Sequence, residues 1–151
     1  PTVVEDYRDK FAGLFTDFYL FESLEHIPEE NIEQKAQALM ELLLLDKKVT
    51  IENRKLSTIK LSQGQRKRLA LMTAIIEDKE IYLFDEWAAN QDPQFKSIFY
   101  HQILPDLKKN GKTCLVVSHD DSYFDVGDRV LKIRDGQLVE ESRLSHTPTA
   151  S

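Results

Sequence analysis

Two short stretches decide the fold: Leu61-Ser62-Gln63-Gly64-Gln65-Arg66 and Ile81-Tyr82-Leu83-Phe84-Asp85-Glu86-Trp87. The first opens an apolar-striped segment, Gln63 to Glu77, with Leu69, Met72, Ile75 and Ile76 as its buried stripe and Ser62 placed as its N-cap. That pattern predicts a helix. A helix start presents unpaired backbone N–H groups and the positive end of the helix dipole, which suits an anion. Gly64 leaves the backbone there approachable, whereas a merely well-capped helix has no use for an internal glycine. The second stretch is a short all-apolar run, as expected of a parallel strand covered on both faces, and it ends in two carboxylates. Asp85 suits Mg²⁺, directly or through water, because hard cations choose oxygen ligands. Glu86 points elsewhere and suits polarisation of an attacking water. A solvated strand end would be the plainer reading of these two acids. An anion site, a buried strand and a carboxylate pair together point to nucleotide chemistry.

Working outward, the polar turn Glu77-Asp78-Lys79-Glu80 links helix to strand. Upstream, residues 46–60 read as a charged connector with a short strand at Val49–Ile51. Before it, Pro28-Glu29-Glu30 opens an amphipathic helix running from about Asn31 to Leu45. The aromatic segment 5–21 reads either as a strand near Phe11–Phe15 followed by a loop or as a short helix from Glu5. Downstream, Gln94 to Lys108 reads as a helix in which Pro105 demands a kink or a restart. Asn110-Gly111 is a turn, and Lys112 to Ser118 is a β-branched strand holding Cys114 as a packed residue rather than a nucleophile. Tyr123 to Asp128 suggest a short helix. Val130–Ile133, Asp135-Gly136 and Gln137–Val139 form a hairpin with a type I′ turn signal.

Net charge of −6 argues against nucleic-acid binding, since a duplex-binding face is usually strongly basic. A hydrophobic share of 41% with 30% charged residues fits a folded α/β chain of one domain's length. The single cysteine excludes a disulfide framework and a Cys-rich metal site. No apolar run approaches the roughly 18–20 residues of a membrane span. Gly111-Lys112-Thr113 imitates the end of a phosphate-binding loop, but that pattern needs a glycine where Asp106 stands, and it runs from strand to helix rather than the reverse. Ser118-His119-Asp120 is no hydrolase triad, because three consecutive side chains cannot converge on one another.

The ordered set LSQGQ followed by RKRLAL, then IYLFDEW, then Val116-Val117-Ser118-His119-Asp120, resembles the C-terminal part of an ATP-binding cassette (ABC) ATPase domain. The three match that family's signature motif, Walker B strand and switch-histidine loop, over roughly residues 5 to 140. FDEWAANQDP, with FTDFYLF and LPDLKKNGKT, resembles one branch in particular, the cyclic-peptide and siderophore-peptide exporters. The resemblance implies a P-loop NTPase-like α/β fold, with a parallel sheet core and a helical subdomain carrying the signature motif. It implies a partial nucleotide-binding domain over residues 1–141 and a polar, disordered tail over 142–151. No G-x-x-x-x-G-K-[S/T] occurs, so the Walker A loop is expected upstream of Pro1, and the chain alone is expected to bind ATP weakly.

The implied substrate is ATP with Mg²⁺. Ser62, Gln63, Gly64 and Gln65 would face the γ-phosphate across a head-to-tail pair of ATPase domains, with Asp92 on the loop at that interface. Asp85 would hold Mg²⁺, Glu86 would orient water, and His119 would contact the transferring phosphoryl. The loop that usually carries a metal-contacting Gln reads Thr16-Asp17 here, which makes Asp17 the substitute candidate. The implied partners are a second ATPase domain and a transmembrane domain, at the cytoplasmic face of the bacterial inner membrane, with no nucleic acid. The alternatives are a soluble cassette ATPase of DNA maintenance or translation, and a degenerate cassette that only dimerises.

Overall fold

The computed structural model describes residues 3–15, 17–28 and 30–144. Contacts divide the chain into two compact units, residues 1–118 and 119–151.

The first unit is organised on a three-stranded parallel sheet in which β4 (Ile81–Asp85) lies between β1 (Phe11–Leu14) and β5 (Thr113–Val117). Leu14 pairs with Phe84, and Asp85 with Val117, so the carboxylate end of β4 shares one carboxyl edge with the ends of its neighbours. Alternation puts Ala12, Leu14, Tyr82 and Phe84 on one buried face. There Tyr82 donates from its hydroxyl to the Ala74 carbonyl of α3 (Gln63–Ile76) at 3.3 Å. Burial raises the Tyr82 phenol to about 12 and the Cys114 thiol to about 11, so neither ionises near neutrality and Cys114 has no thiolate to attack with. The opposite face departs from the expectation of a sheet covered on both sides. Ile81 and Leu83 are only half-buried, and Phe11, Phe15, Leu115 and Val117 stay exposed. An apolar strand reads the same whether one face or two is packed.

Both readings of the aromatic segment hold in part. A short helix, α1 (Val3–Arg8), precedes β1. The amphipathic helix α2 spans Ile32–Leu42, shorter at both ends than its apolar pattern suggests. It stops because Leu44 adopts a left-handed φ of 57°, with Leu44 N–H bonding Glu41 O and Leu45 N–H bonding Met40 O. This is a Schellman ending with leucine where glycine is usual, and the buried pair Met40 and Leu45 supplies its apolar contact. The charged connector holds an unforeseen hairpin, β2 (Ile51–Glu52) and β3 (Lys55–Leu56), turned by Asn53 and Arg54 at φ 52° and 62°. Arg54 anchors it by donating its Nη1 to Ile27 O at 2.8 Å and its backbone N–H to Glu33 Oε1 at 2.7 Å.

The long helix after β4 is continuous but not uniform. α4 (Pro93–Ile98) widens into a π-helical turn over Phe99–Ile103 and resumes as α5 (Leu104–Lys109). Pro105 has no N–H for the regular ladder, and a widened turn before it accommodates that loss without a break.

The second unit contains a short 3₁₀ segment, Asp121–Val126, and a hairpin of β6 (Arg129–Arg134) and β7 (Gln137–Arg143). Asp135 and Gly136 both have positive φ, as a type I′ turn requires. Ser142 and Arg143 pair with Val130 and Arg129, so the strand runs past the expected start of the tail. Residues 145–151 lie outside the described residues. No helix among the described residues is long and apolar enough to cross a membrane.

Candidate functional site

The start of α3 is built locally. Ser62 Oγ accepts from the Gln65 N–H at 3.3 Å, and Gln65 Oε1 accepts from the Ser62 N–H at 3.1 Å. The reciprocal pair is a capping box, and it fixes the direction in which the first turn points its amides. The first intrahelical bond, Arg66 N–H to Ser62 O, lies beyond the N–H groups of Gln63 and Gly64. Those two are donors that a helix N-terminus offers outward. Ser62 and Gln63 are exposed, and Gly64 and Gln65 are half-buried. A Cβ on Gly64 would meet only ordinary contacts, 3.5 Å from Gln91 Oε1 and 3.9 Å from Asn90 O, so packing alone does not demand glycine.

The carboxylates are positioned differently. Asp85 ends β4 on the open face and is exposed. Glu86 breaks the strand by adopting φ 50°, a left-handed conformation that costs a non-glycine residue on the order of 1–2 kcal/mol. Its N–H donates to Val117 O at 3.0 Å, and its Oε1 is withdrawn from solvent. The surroundings that hold this strain come from the next residue. Trp87 is buried among Phe84, Phe95 and Phe99, its ring 4.7 Å from that of Phe99. The buried Lys67 ammonium approaches the Trp87 carbonyl at 3.4 Å, and burial lowers its pKa.

A polar network that the sequence argument missed ties the helix start to the turn after Glu86. Arg68 is buried and donates from Nε to Gln91 Oε1 at 3.0 Å and from Nη2 to Asp92 Oδ2 at 2.6 Å. Its guanidinium also lies 4.0 Å from the centre of the Phe95 ring. Gln91 returns to α3 by donating Nε2 to Gly64 O at 3.1 Å. Asp92 caps α4 by accepting the Phe95 N–H at 2.9 Å. That backbone bond first, and Arg68 with it, hold the Asp92 carboxyl below its usual range against some desolvation. Both Asp92 oxygens are therefore engaged inside the chain. The signal for Arg68 was its i+4 spacing from Gly64, which puts both on one helix face. Gln91 carried no comparable signal.

Within the first unit the structure brings Gly64, Arg68, Gln91 and Asp92 into direct contact. Asp17 follows β1 on the carboxyl edge and is exposed, while Thr16 lies outside the described residues. His119 is exposed and opens the second unit. No three His, Cys, Asp or Glu side chains gather as a metal cage among the described residues. A single exposed carboxylate, Asp85, does fit Mg²⁺, which commonly takes one or two carboxylates and completes its shell with phosphate oxygens and water.

Residues 2–89 match the ABC transporter family. The ATP-binding protein SyrD of Pseudomonas syringae pv. syringae is 50% identical over 139 residues, covering 90% of this chain and 25% of SyrD. The arginine transport ATP-binding protein ArtM of Bacillus subtilis is 31% identical, covering 89% of this chain and 59% of ArtM. The chain thus spans about a quarter of one relative and under two thirds of the other. Among solved structures, the ATP-binding cassette MJ0796, a dimer in a post-hydrolysis state bound to ADP and Pi, superposes with a TM-score of 0.71. It is 23% identical and is matched over 95% of this chain and 67% of its own, which shows a shared fold.

Proposed function

The chain belongs to the ABC transporter family, and from that premise we propose that it is the C-terminal part of an ATP-hydrolysing cassette that drives an exporter of peptides or peptide-derived siderophores. The observation that carries the chemistry is Glu86, a strained residue with one withdrawn carboxylate oxygen at the end of the central strand. A carboxylate held in this way orients water and takes up proton character as the water attacks phosphorus. Asp85 holds Mg²⁺, which when bound neutralises charge on the transferring phosphoryl group. Gln63 and Gly64 present backbone amides, and Ser62 and Gln65 fix their direction, toward the γ-phosphate of ATP seated on a second cassette. His119, after β5, stabilises the transferring phosphoryl group on which Asp85 and Glu86 act, and Asp17 adds a carboxylate on the β1 side. Asp92 serves the interface through the helix it caps.

Two cassettes then close head to tail around ATP and reopen after hydrolysis, at the cytoplasmic face of the membrane, against a transmembrane partner. The peptide branch is supported by the wording FDEWAANQDP, with FTDFYLF and LPDLKKNGKT. The test is ATP hydrolysis by the full-length protein in lipid vesicles, together with ATP-dependent movement of a labelled cyclic peptide. Hydrolysis with peptide movement is the expected result. Hydrolysis without movement of any peptide would retain the cassette and discard the cargo, and no hydrolysis would discard both.

A further inference from the structure

One buried side chain, Gln91, joins the two halves of the site. Gln91 is 6% exposed. Its amide donates to Gly64 O at 3.1 Å and accepts from Arg68 Nε at 3.0 Å. Its backbone N–H bonds Ala88 O at 3.1 Å, inside the turn that begins at Glu86. The side chain therefore spans from the carboxylate turn to the second residue of α3, while its hydrogen bonds reach neither Asp85 nor Glu86.

We propose that Gln91 is a positioning residue: a buried strut that fixes the start of α3 against the turn carrying Glu86, so that the phosphate-facing amides and the water-orienting carboxylate of one cassette move as one piece. The proposal rests on reading Ser62–Gln65 as the face that meets ATP on a partner cassette. A buried amide bonded at both ends resists sliding between α3 and the turn in a way that an apolar contact does not, because slippage breaks the directional bonds that Gln91 makes to the Gly64 carbonyl and to Arg68 Nε. Leucine fills the space but joins nothing. Glutamate keeps an acceptor for Arg68 and loses the donor to Gly64. Either change therefore acts on closure around ATP and leaves the chemistry of the closed state intact.

The experiment is ATP hydrolysis by the full-length protein in lipid vesicles across a range of MgATP concentrations, for the parent, Gln91→Leu and Gln91→Glu, with thermal unfolding of each. The KM for ATP should rise about tenfold in both variants, the scale expected when a buried hydrogen bond is lost. The maximum rate should stay within about threefold of the parent, since no interaction special to the transition state is removed. A role in folding alone would lower the unfolding temperature and leave KM at the parent value, and KM within about twofold of the parent in both variants overturns the proposal. If Gln91→Leu fails to accumulate, Gln91→Glu decides by the same criterion. A parent without hydrolysis overturns the phosphate-face reading and the strut with it, whereas a working parent beside indifferent variants overturns the strut alone.

Discussion

The helix start at Ser62–Gln65 and the turn from Glu86 to Asp92 serve one candidate site but are held in opposite ways. The helix start is capped by neighbours in sequence, through a capping box of two residues three apart, and Gln91 docks it on the turn through the Gly64 carbonyl. The turn is secured from a distance by Lys67, Arg68 and a cluster of buried rings, with a strained backbone at its first residue. A local device tolerates the loss of one member, because water can replace a cap at an exposed end. A tertiary device does not, because each lost partner leaves a buried group stranded. Replacements in the turn should therefore cost far more stability than replacements in the helix start, even where both abolish function.

The largest effect is expected at Arg68. Arg68→Ala removes a buried hydrogen bond to Gln91, a charge-assisted one to the half-exposed Asp92 and a ring contact, and should lower unfolding stability by about 3 kcal/mol. Urea unfolding measures this, and Arg68→Lys should recover less than half of it because an ammonium cannot reproduce the fork. A loss under about 1 kcal/mol would break the comparison at its strongest point. Next comes Asp92→Ala, which removes a helix cap and should cost about 1–2 kcal/mol.

The Asp92 contribution should also depend on pH. The folded carboxyl titrates below the ordinary aspartate range, so its stabilising share is present above the unfolded pKa and is lost as pH falls through the lower folded pKa. The gap between parent and Asp92→Ala should accordingly narrow in acid, and a constant gap down to the acid limit would contradict the assignment. Ser62→Ala should cost about 1 kcal/mol or less, the usual scale of a single exposed cap.

The same contrast explains what the sequence could reveal. Ser62 and Gly64 were legible because an N-cap serine and a glycine near a helix start are local patterns. The Asp135-Gly136 turn was legible for the same reason, and Pro105 announced a disturbance that the structure resolves as a π-helical turn. Glu86's left-handed backbone was not legible, since nothing in Phe-Asp-Glu-Trp marks a residue forced to positive φ by packing of the rings beside it. Leu44 and Arg54 hide their turns similarly, being non-glycine residues at positive φ that no residue type in the sequence marks. The open face of the sheet escaped too, because apolar residues at Ile81 and Leu83 mark a strand without saying what covers it. Gln91 and Arg68 were passed over because their roles exist only once residues 23 positions apart are brought together.

The smallest effect on stability, and the sharpest separation of folding from function, is expected at Gly64. Gly64→Ala places its methyl in ordinary contact with Gln91 and gains helix propensity, so unfolding stability should change by less than about 1 kcal/mol. The methyl also crowds the amides offered to phosphate, and ATP turnover of the full-length protein should fall by more than about tenfold. Retained turnover in this variant would show that the helix start does not meet the nucleotide.

The most direct test of the central claim, that Glu86 is held in place to orient water rather than to support the fold, is ATP turnover of the full-length protein beside its Glu86→Gln variant, with ATP retention measured on both. Turnover in the variant should fall by about a thousandfold or more while it still retains ATP. Comparable turnover in the two proteins would contradict the assignment, and loss of ATP retention along with turnover would make Glu86 a structural residue instead.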